Sequence, residues 1–497
     1  MSKIFLVLLA FITSNLFAQE ILTPLQKNNY SKPASYDELA AYVQELDNIS
    51  GQIKTEVIAK SVGGRSIFGV KFSSAVFGSD PSKVKVLLLA QQHGNEQAGK
   101  EGALLLMQEL MKPENSYLFE RIDLVIVPQM NPDGSETNTR RNGNGMDLNR
   151  NHLIITEPEV IGLHRLFDQY LFEVTMDAHE YFPYGETWQK YGYRNNSALL
   201  LGTATNSNVS EKLRQLSSTG YLPFIKEFLN TKHVSNFIYS PGGPPETEYI
   251  RHSTFDINDG RQSFAIQNTF SFIQEGLNGK DGFAENIEQR AESQMNGMRG
   301  LLEFAYRNNK KIKTLVAEER EKLIKGEPSE VAIQSEHVRT GIKLYLPLLS
   351  YSTGNDTTVI VSDYRPVVKS IYDVKKPSGY LIPKQLNELT EWADRQGITS
   401  RAYKPERKDK IEVYEVPLID SIDFEGDIVV NPSVKVKTLT ETINPDDYIY
   451  LPTNQLKGDM IVIALEPKSM LGLATYKQFA HLLKKGEAFP VLRVIKK

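Results

Sequence analysis

Two histidines and a handful of acidic side chains carry the chemistry latent in this chain. His93-Gly94-Asn95-Glu96 sets an imidazole and a carboxylate three residues apart, directly after the apolar run 84–90. A strand there delivers the pair to a sheet edge, where a nitrogen and an oxygen donor can share one coordination sphere, a combination that suits Zn²⁺. By itself a His-x-x-Glu is a weak signal in a chain with 61 acidic residues. A third donor is available in Val174-Thr-Met-Asp-Ala-His179-Glu180, again at the close of a short apolar run. Taken singly, His179 reads as an ordinary core histidine. Its neighbours Asp177 and Glu180 are alternative ligands or orienting partners.

Between these donors lie the turn Asn131-Pro-Asp-Gly134, then Arg140, then Asp147-Leu-Asn149-Arg150-Asn151. Asp147 is placed to accept the free ring N–H of a ligand histidine, a contact that orients the ring. Asn149 with Arg150 sets an amide beside a planar cationic fork, apt for clasping a carboxylate. Arg140 can donate to oxygen charge that develops when a carbonyl is attacked. Singly, each arginine reads as a solvated surface charge. Over Gln262–Glu275, Phe264, Ile266, Phe270 and Phe272 alternate as in a strand that ends on Glu275. A carboxylate at such an end can serve as general base toward water.

In this order His93-x-x-Glu96, Asn131-Pro-Asp-Gly134, Arg140, Asp147-Leu-Asn149-Arg150-Asn151, His179 and Glu275 resemble the zinc carboxypeptidases of the carboxypeptidase A type, the M14 peptidases. Ser61-x-x-Gly-Arg65 and the helix opening at Tyr36 are similar to that family's start, and the resemblance spans roughly residues 30 to 310. It implies an α/β/α sandwich around a mixed, mainly eight-stranded sheet. It implies one zinc ion on His93, Glu96 and His179, catalytic roles for Arg140 and Glu275, and terminal-carboxylate binding by Asn149 and Arg150. Tyr239, in Phe237-Ile-Tyr239-Ser-Pro-Gly-Gly243, resembles the family's mobile tyrosine, with Tyr249 as a rival. Tyr380-Leu-Ile-Pro383 and Ala464-Leu-Glu-Pro467 resemble segments of exported bacterial M14 relatives with an added domain.

Elements must hold these residues in place. Ser35-Tyr-Asp-Glu38 is a capping box, followed by Leu39, Tyr42, Val43 and Leu46 at helical spacing. Strands are expected at 54–59, 66–72, 84–90 and 122–128, with a helix at 98–111. This α/β rhythm implies a substantially parallel sheet with its site at the strands' carboxyl ends. The charge-rich stretch 284–325 reads as one last helix leading to a linker. From about 335 the texture turns to short β-rich runs, Met460–Leu465 among them, with one helix at 383–395 closed by Gly397.

At 497 residues two domains are expected. They are a catalytic domain at 19–325 and a smaller β-rich α+β domain at 335–497. Residues 1–18, with Lys3, the apolar core 4–12 and Ala18, read as a signal peptide, so the protein is expected to be exported, periplasmic or secreted. With 57 basic against 61 acidic residues there is no charge block for nucleic acid. No segment after the signal is apolar enough to span a membrane. Zero cysteines confine any metal to His, Asp and Glu. The function expected is zinc-dependent hydrolysis of a C-terminal peptide bond in a substrate with a free carboxylate. The alternatives are an amidase or deacylase, a peptidoglycan stem-peptide peptidase, and, in another class, a binding protein with an inactive zinc fold.

Overall fold

The computed structural model describes residues 21–496, and the expected signal peptide lies outside them. The capping box forms as its sequence dictates. Ser35 Oγ accepts from the Glu38 N–H at 3.3 Å, Glu38 Oε2 accepts from the Ser35 N–H at 2.8 Å, and the helix Tyr36–Ile49 buries Leu39, Tyr42, Val43 and Leu46.

The principal sheet has eight strands: β1 Ile53–Lys60, β2 Ser66–Phe72, β3 Val84–Ala90, β4 Ile122–Val127, β5 Val174–Tyr181, β6 Leu199–Thr203, β7 Asn236–Ile238 and β8 Phe270–Leu277. Their spatial order is β1-β2-β4-β3-β5-β8-β6-β7. The four central strands β4, β3, β5 and β8 run parallel, the pairs β1–β2, β2–β4 and β8–β6 are antiparallel, β6–β7 is parallel, and the sheet is mixed as expected. Strand alternation sorts the core into two layers. Val86 and Leu88 join Leu104, Met107, Leu301 and Phe304 on one face, while Leu87 and Leu89 meet Leu163, Phe167 and Phe264 on the other. Helices thus cover both faces.

Three expectations are corrected. The stretch 262–275 is not one strand. Asp259 caps a helix, Gly260–Ala265, by accepting from the Gln262 N–H at 2.6 Å, and the strand begins only at Phe270. A good cap outweighs a two-residue apolar alternation. The 284–325 stretch is two helices, Ile287–Arg307 and Asn309–Ile324, broken at Asn308. Met460–Leu465 is not β. It lies in the wholly buried helix Gly458–Leu465, since a short apolar run suits a buried helix as well as a strand.

The C-terminal part is interleaved with the N-terminal part through small sheets of their own. Leu344–Ser350 pairs with Tyr193–Asn195, and Tyr364–Arg365 lies parallel to Ile250–Arg251. Leu148, Leu153, Ile155, Val160 and Phe255 share one apolar cluster with Trp392, Ile461, Ile463 and Val491. Its largest sheet, five-stranded, is built entirely from residues after 375 and includes the long hairpin Lys410–Phe424 and Asp427–Thr438. No helix among the described residues is long and apolar enough to cross a membrane.

Candidate metal and catalytic centre

The carboxyl ends of the central parallel strands converge on one edge. The His93 loop follows β3, the Asn131 turn follows β4, His179 sits near the end of β5, and Glu275 is its register partner on β8. Asn131 locks the first two loops together. Its Oδ1 accepts from the Gly134 N–H at 2.8 Å, and its Nδ2 donates to the carbonyls of Gln92 and Arg140 at 3.1 and 3.2 Å. Asp133, in the same turn, anchors the Ser61–Arg65 turn through Ser61 Oγ, the Gly63 N–H and Arg65. The contact is so close that a Cβ on Gly94 would lie 2.1 Å from the Gly134 carbonyl carbon. Gly94→Ala is therefore expected to force the two loops apart and destabilise by about 1–3 kcal/mol or more, read as a lower denaturant midpoint at unchanged slope.

His93, Glu96 and His179 are all buried, and one donor atom of each falls within 4.8 Å of the others. His93 Nδ1 lies 2.7 Å from Glu96 Oε1, His179 Nδ1 lies 2.9 Å from Glu96 Oε2, and the two Nδ1 atoms are 3.1 Å apart. Donors about 2.0–2.1 Å from a tetrahedral zinc sit roughly 3.3 Å from one another, so the cluster fits that ion. Burial resists charge on all three groups, but mutual attraction wins: Glu96 is held well below the usual carboxylate range and both imidazoles are raised.

The outward nitrogens are held by carboxylates. Asp147 Oδ1 is 3.0 Å from His93 Nε2, and Asp177 Oδ2 is 2.9 Å from His179 Nε2. The choice left open at Asp177 and Glu180 thus resolves. Asp177 shares a strand face with His179, two residues away. Glu180 points to the opposite face, where it accepts from the Ala98 N–H and forms a two-pronged pair with Arg290 at 3.0 and 3.1 Å. Burial pushes Glu180 up to about 7 against the pull of Arg290. Arg290→Met leaves that carboxylate uncompensated and is expected to cost about 3–5 kcal/mol of stability, measured by denaturant unfolding.

Arg140 is half-exposed, with Nε 2.9 Å from Asp147 Oδ2 and a terminal nitrogen 3.2 Å from His93 Nδ1, so its guanidinium borders the cluster. Glu275 is buried beside it and accepts no hydrogen bond among the described residues. Burial raises its pKa, and the two histidines draw it back. Asn149 is buried, and its Oδ1 accepts from the Gly260 N–H at 2.7 Å. Its Nδ2 lies 3.3 Å from His179 Nε2, which Asp177 requires to carry a proton, so the amide hydrogens remain available to a ligand. Arg150 is exposed, and Asp256, Asp147 and Asp259 favour its charge. The half-buried Tyr239 feels both Glu275 and Arg150, whereas Tyr249 lies under the Arg365 guanidinium, 3.9 Å from its ring centre. The structure therefore brings all nine expected residues to one sheet edge and turns the rival tyrosine toward the C-terminal part.

The Peptidase_M14 zinc carboxypeptidase family model matches residues 39–165. Carboxypeptidase 2 of Trichophyton rubrum is 22% identical over 441 residues, covering 85% of this chain and 78% of its own length. Its alignment therefore runs into the C-terminal part. The human carboxypeptidase N catalytic chain is 31% identical over 135 residues, 23% of this chain and 30% of its own. Among solved structures, a Pseudomonas aeruginosa metallo-carboxypeptidase in complex with (2-guanidinoethylmercapto)succinic acid aligns at 21% identity and a TM-score of 0.44, over 57% of this chain and 71% of that one. Over residues 39–165 the chain thus matches the M14 zinc carboxypeptidase family, and its similarity to carboxypeptidases indicates a metallopeptidase enzyme.

Proposed function

We propose that this enzyme is an exported zinc carboxypeptidase that removes C-terminal residues from peptides, with Glu275 as general base. The observation that carries the reading is the convergence of three buried donor atoms on His93, Glu96 and His179 beside a buried carboxylate, Glu275, that has no hydrogen-bond partner among the described residues. Zn²⁺ bound there would polarise the scissile carbonyl and acidify a water. Glu275 takes the proton of the attacking water and passes it to the leaving amine. Arg140 donates to the oxygen that gains charge. Asn149 and Arg150 hold the substrate's free carboxylate, which sets register so that the terminal peptide bond meets the base. Tyr239 covers the bound residue. The apolar run 4–12 after Lys3 supports export.

The test is hydrolysis of paired peptides, one with a free and one with an amidated C-terminus, followed by mass spectrometry. Stepwise loss of terminal residues from the free peptide, with amidation lowering kcat/KM by about 100-fold or more, supports the reading. Equal turnover of both points to an amidase or endopeptidase. No turnover with tightly bound zinc points to a binding protein.

A further inference from the structure

Behind the metal ligands runs a buried polar chain that none of the proposed catalytic steps uses. Asp177 Oδ2, which takes the His179 Nε2 contact, also accepts from Gln92 Nε2 at 2.6 Å. Gln92 Oε1 is 2.8 Å from His152 Nε2, and His152 Nδ1 is 3.0 Å from His164 Nε2. All five side chains are at most 2% exposed. Asp177 can only accept, so it fixes each donor in turn. The Gln92 amide must aim its nitrogen at Asp177 and its oxygen at His152, and His152 must carry its proton on Nε2. His164 then donates from Nε2. The orphan left over is the bare His164 Nδ1, a lone pair rather than a buried N–H. Burial holds both His152 and His164 below the usual histidine range, which keeps them neutral as this pattern needs.

The far end of the chain is gripped from outside the sheet. Gln396 Nε2 donates to the carbonyls of His152 and Leu153 at 2.8 and 2.9 Å, and Trp392 Nε1 donates to Leu153 at 2.8 Å. Both belong to the C-terminal part, at the helix Asn387–Arg395 and its end, and both are buried. Gly260 packs against the middle: a Cβ there would lie 2.7 Å from Gln92 Nε2 and 2.9 Å from Asp177 Oδ2.

We propose that the Asp177–Gln92–His152 chain, clamped by Trp392 and Gln396, sets the tautomer and bearing of His179, so that the C-terminal part is a working component of the metal centre. Trp392, Gln396, His152 and Gln92 are positioning residues in this scheme. They touch no substrate and act through His179.

The inference rests on zinc binding at His179, and the test separates the two. Zinc affinity of the full chain is measured by competition with a chromophoric chelator, and ligand geometry by the visible spectrum of the Co²⁺ form. Gln92→Met and His152→Leu are expected to weaken zinc by about 10- to 100-fold and shift the Co²⁺ bands. His152→Gln, which retains an N–H toward Gln92, should restore affinity to within a few-fold of the parent, and Trp392→Phe/Gln396→Met should weaken it by about tenfold. The melting temperature of each metal-free variant shows whether it folds. If Gln92→Met or His152→Leu does not fold, Gly260→Ala takes its place with the same expected loss. Folded variants that bind zinc as tightly as the parent, with unchanged Co²⁺ bands, overturn the inference. Loss at Gln92 without loss at Trp392/Gln396 overturns the role of the C-terminal part. A parent that does not bind zinc overturns the function itself.

Discussion

Glu275→Gln lowers kcat/KM by about three to four orders of magnitude, the scale of a positioned general base. The substitution keeps shape and removes a charge that can take a proton from water at this edge. The wild-type carboxylate is buried, sits in register beside His179 on the next strand, and among the described residues has no hydrogen-bond partner to compete with water. Because the substitution spares the donor set, zinc content and melting temperature should match the parent. The pH profile carries the same signature. Activity needs the ionised carboxylate, so kcat/KM falls as pH drops below the pKa of Glu275, and that acid limb is expected to vanish from the residual activity of Glu275→Gln. Activity within tenfold of the parent, or a variant depleted of zinc, would sink the assignment.

His179→Ala is expected to abolish turnover and metal binding together. His179 offers one of the three clustered donors and is itself braced by Asp177, so its loss leaves two donors and a buried carboxylate that keeps only its Gln92 contact. Removing zinc from the wild type with a chelator should likewise abolish activity and lower the melting temperature. Metal that binds only the folded site stabilises by about 4 kcal/mol at a thousandfold excess over Kd. In His179→Ala the chelator should produce no further shift. A chelator-induced shift of parental size in that variant would place the metal elsewhere.

The donors of this centre were legible in the sequence because they lie at the ends of recognisable apolar runs. Val84–Ala90 and Val174–Ala178 are buried on both faces, so their composition declares the strands, and a strand's end fixes where the next polar residue emerges. Asp147 was also legible, as a carboxylate close in sequence to the other site residues. The 260–265 helix was not, because Phe264 and Ile266 at even spacing satisfy a strand pattern and the cap at Asp259 decides otherwise. Nor was the helix Gly458–Leu465, whose apolar residues face protein on every side.

The sequence by itself determined the donor types, their order, and the α/β rhythm that carries them to one edge, because metal ligation and strand burial both leave local residue patterns. Tertiary structure alone decided which of two adjacent carboxylates supports His179. Strand alternation sends Asp177 to His179 and Glu180 to Arg290, a partner 110 residues away. It alone also decided that the C-terminal part reaches the polar chain behind His179, through hydrogen bonds from Trp392 and Gln396 to a loop more than 230 residues earlier. Such contacts depend on how separate elements pack, and no periodicity within either segment encodes them.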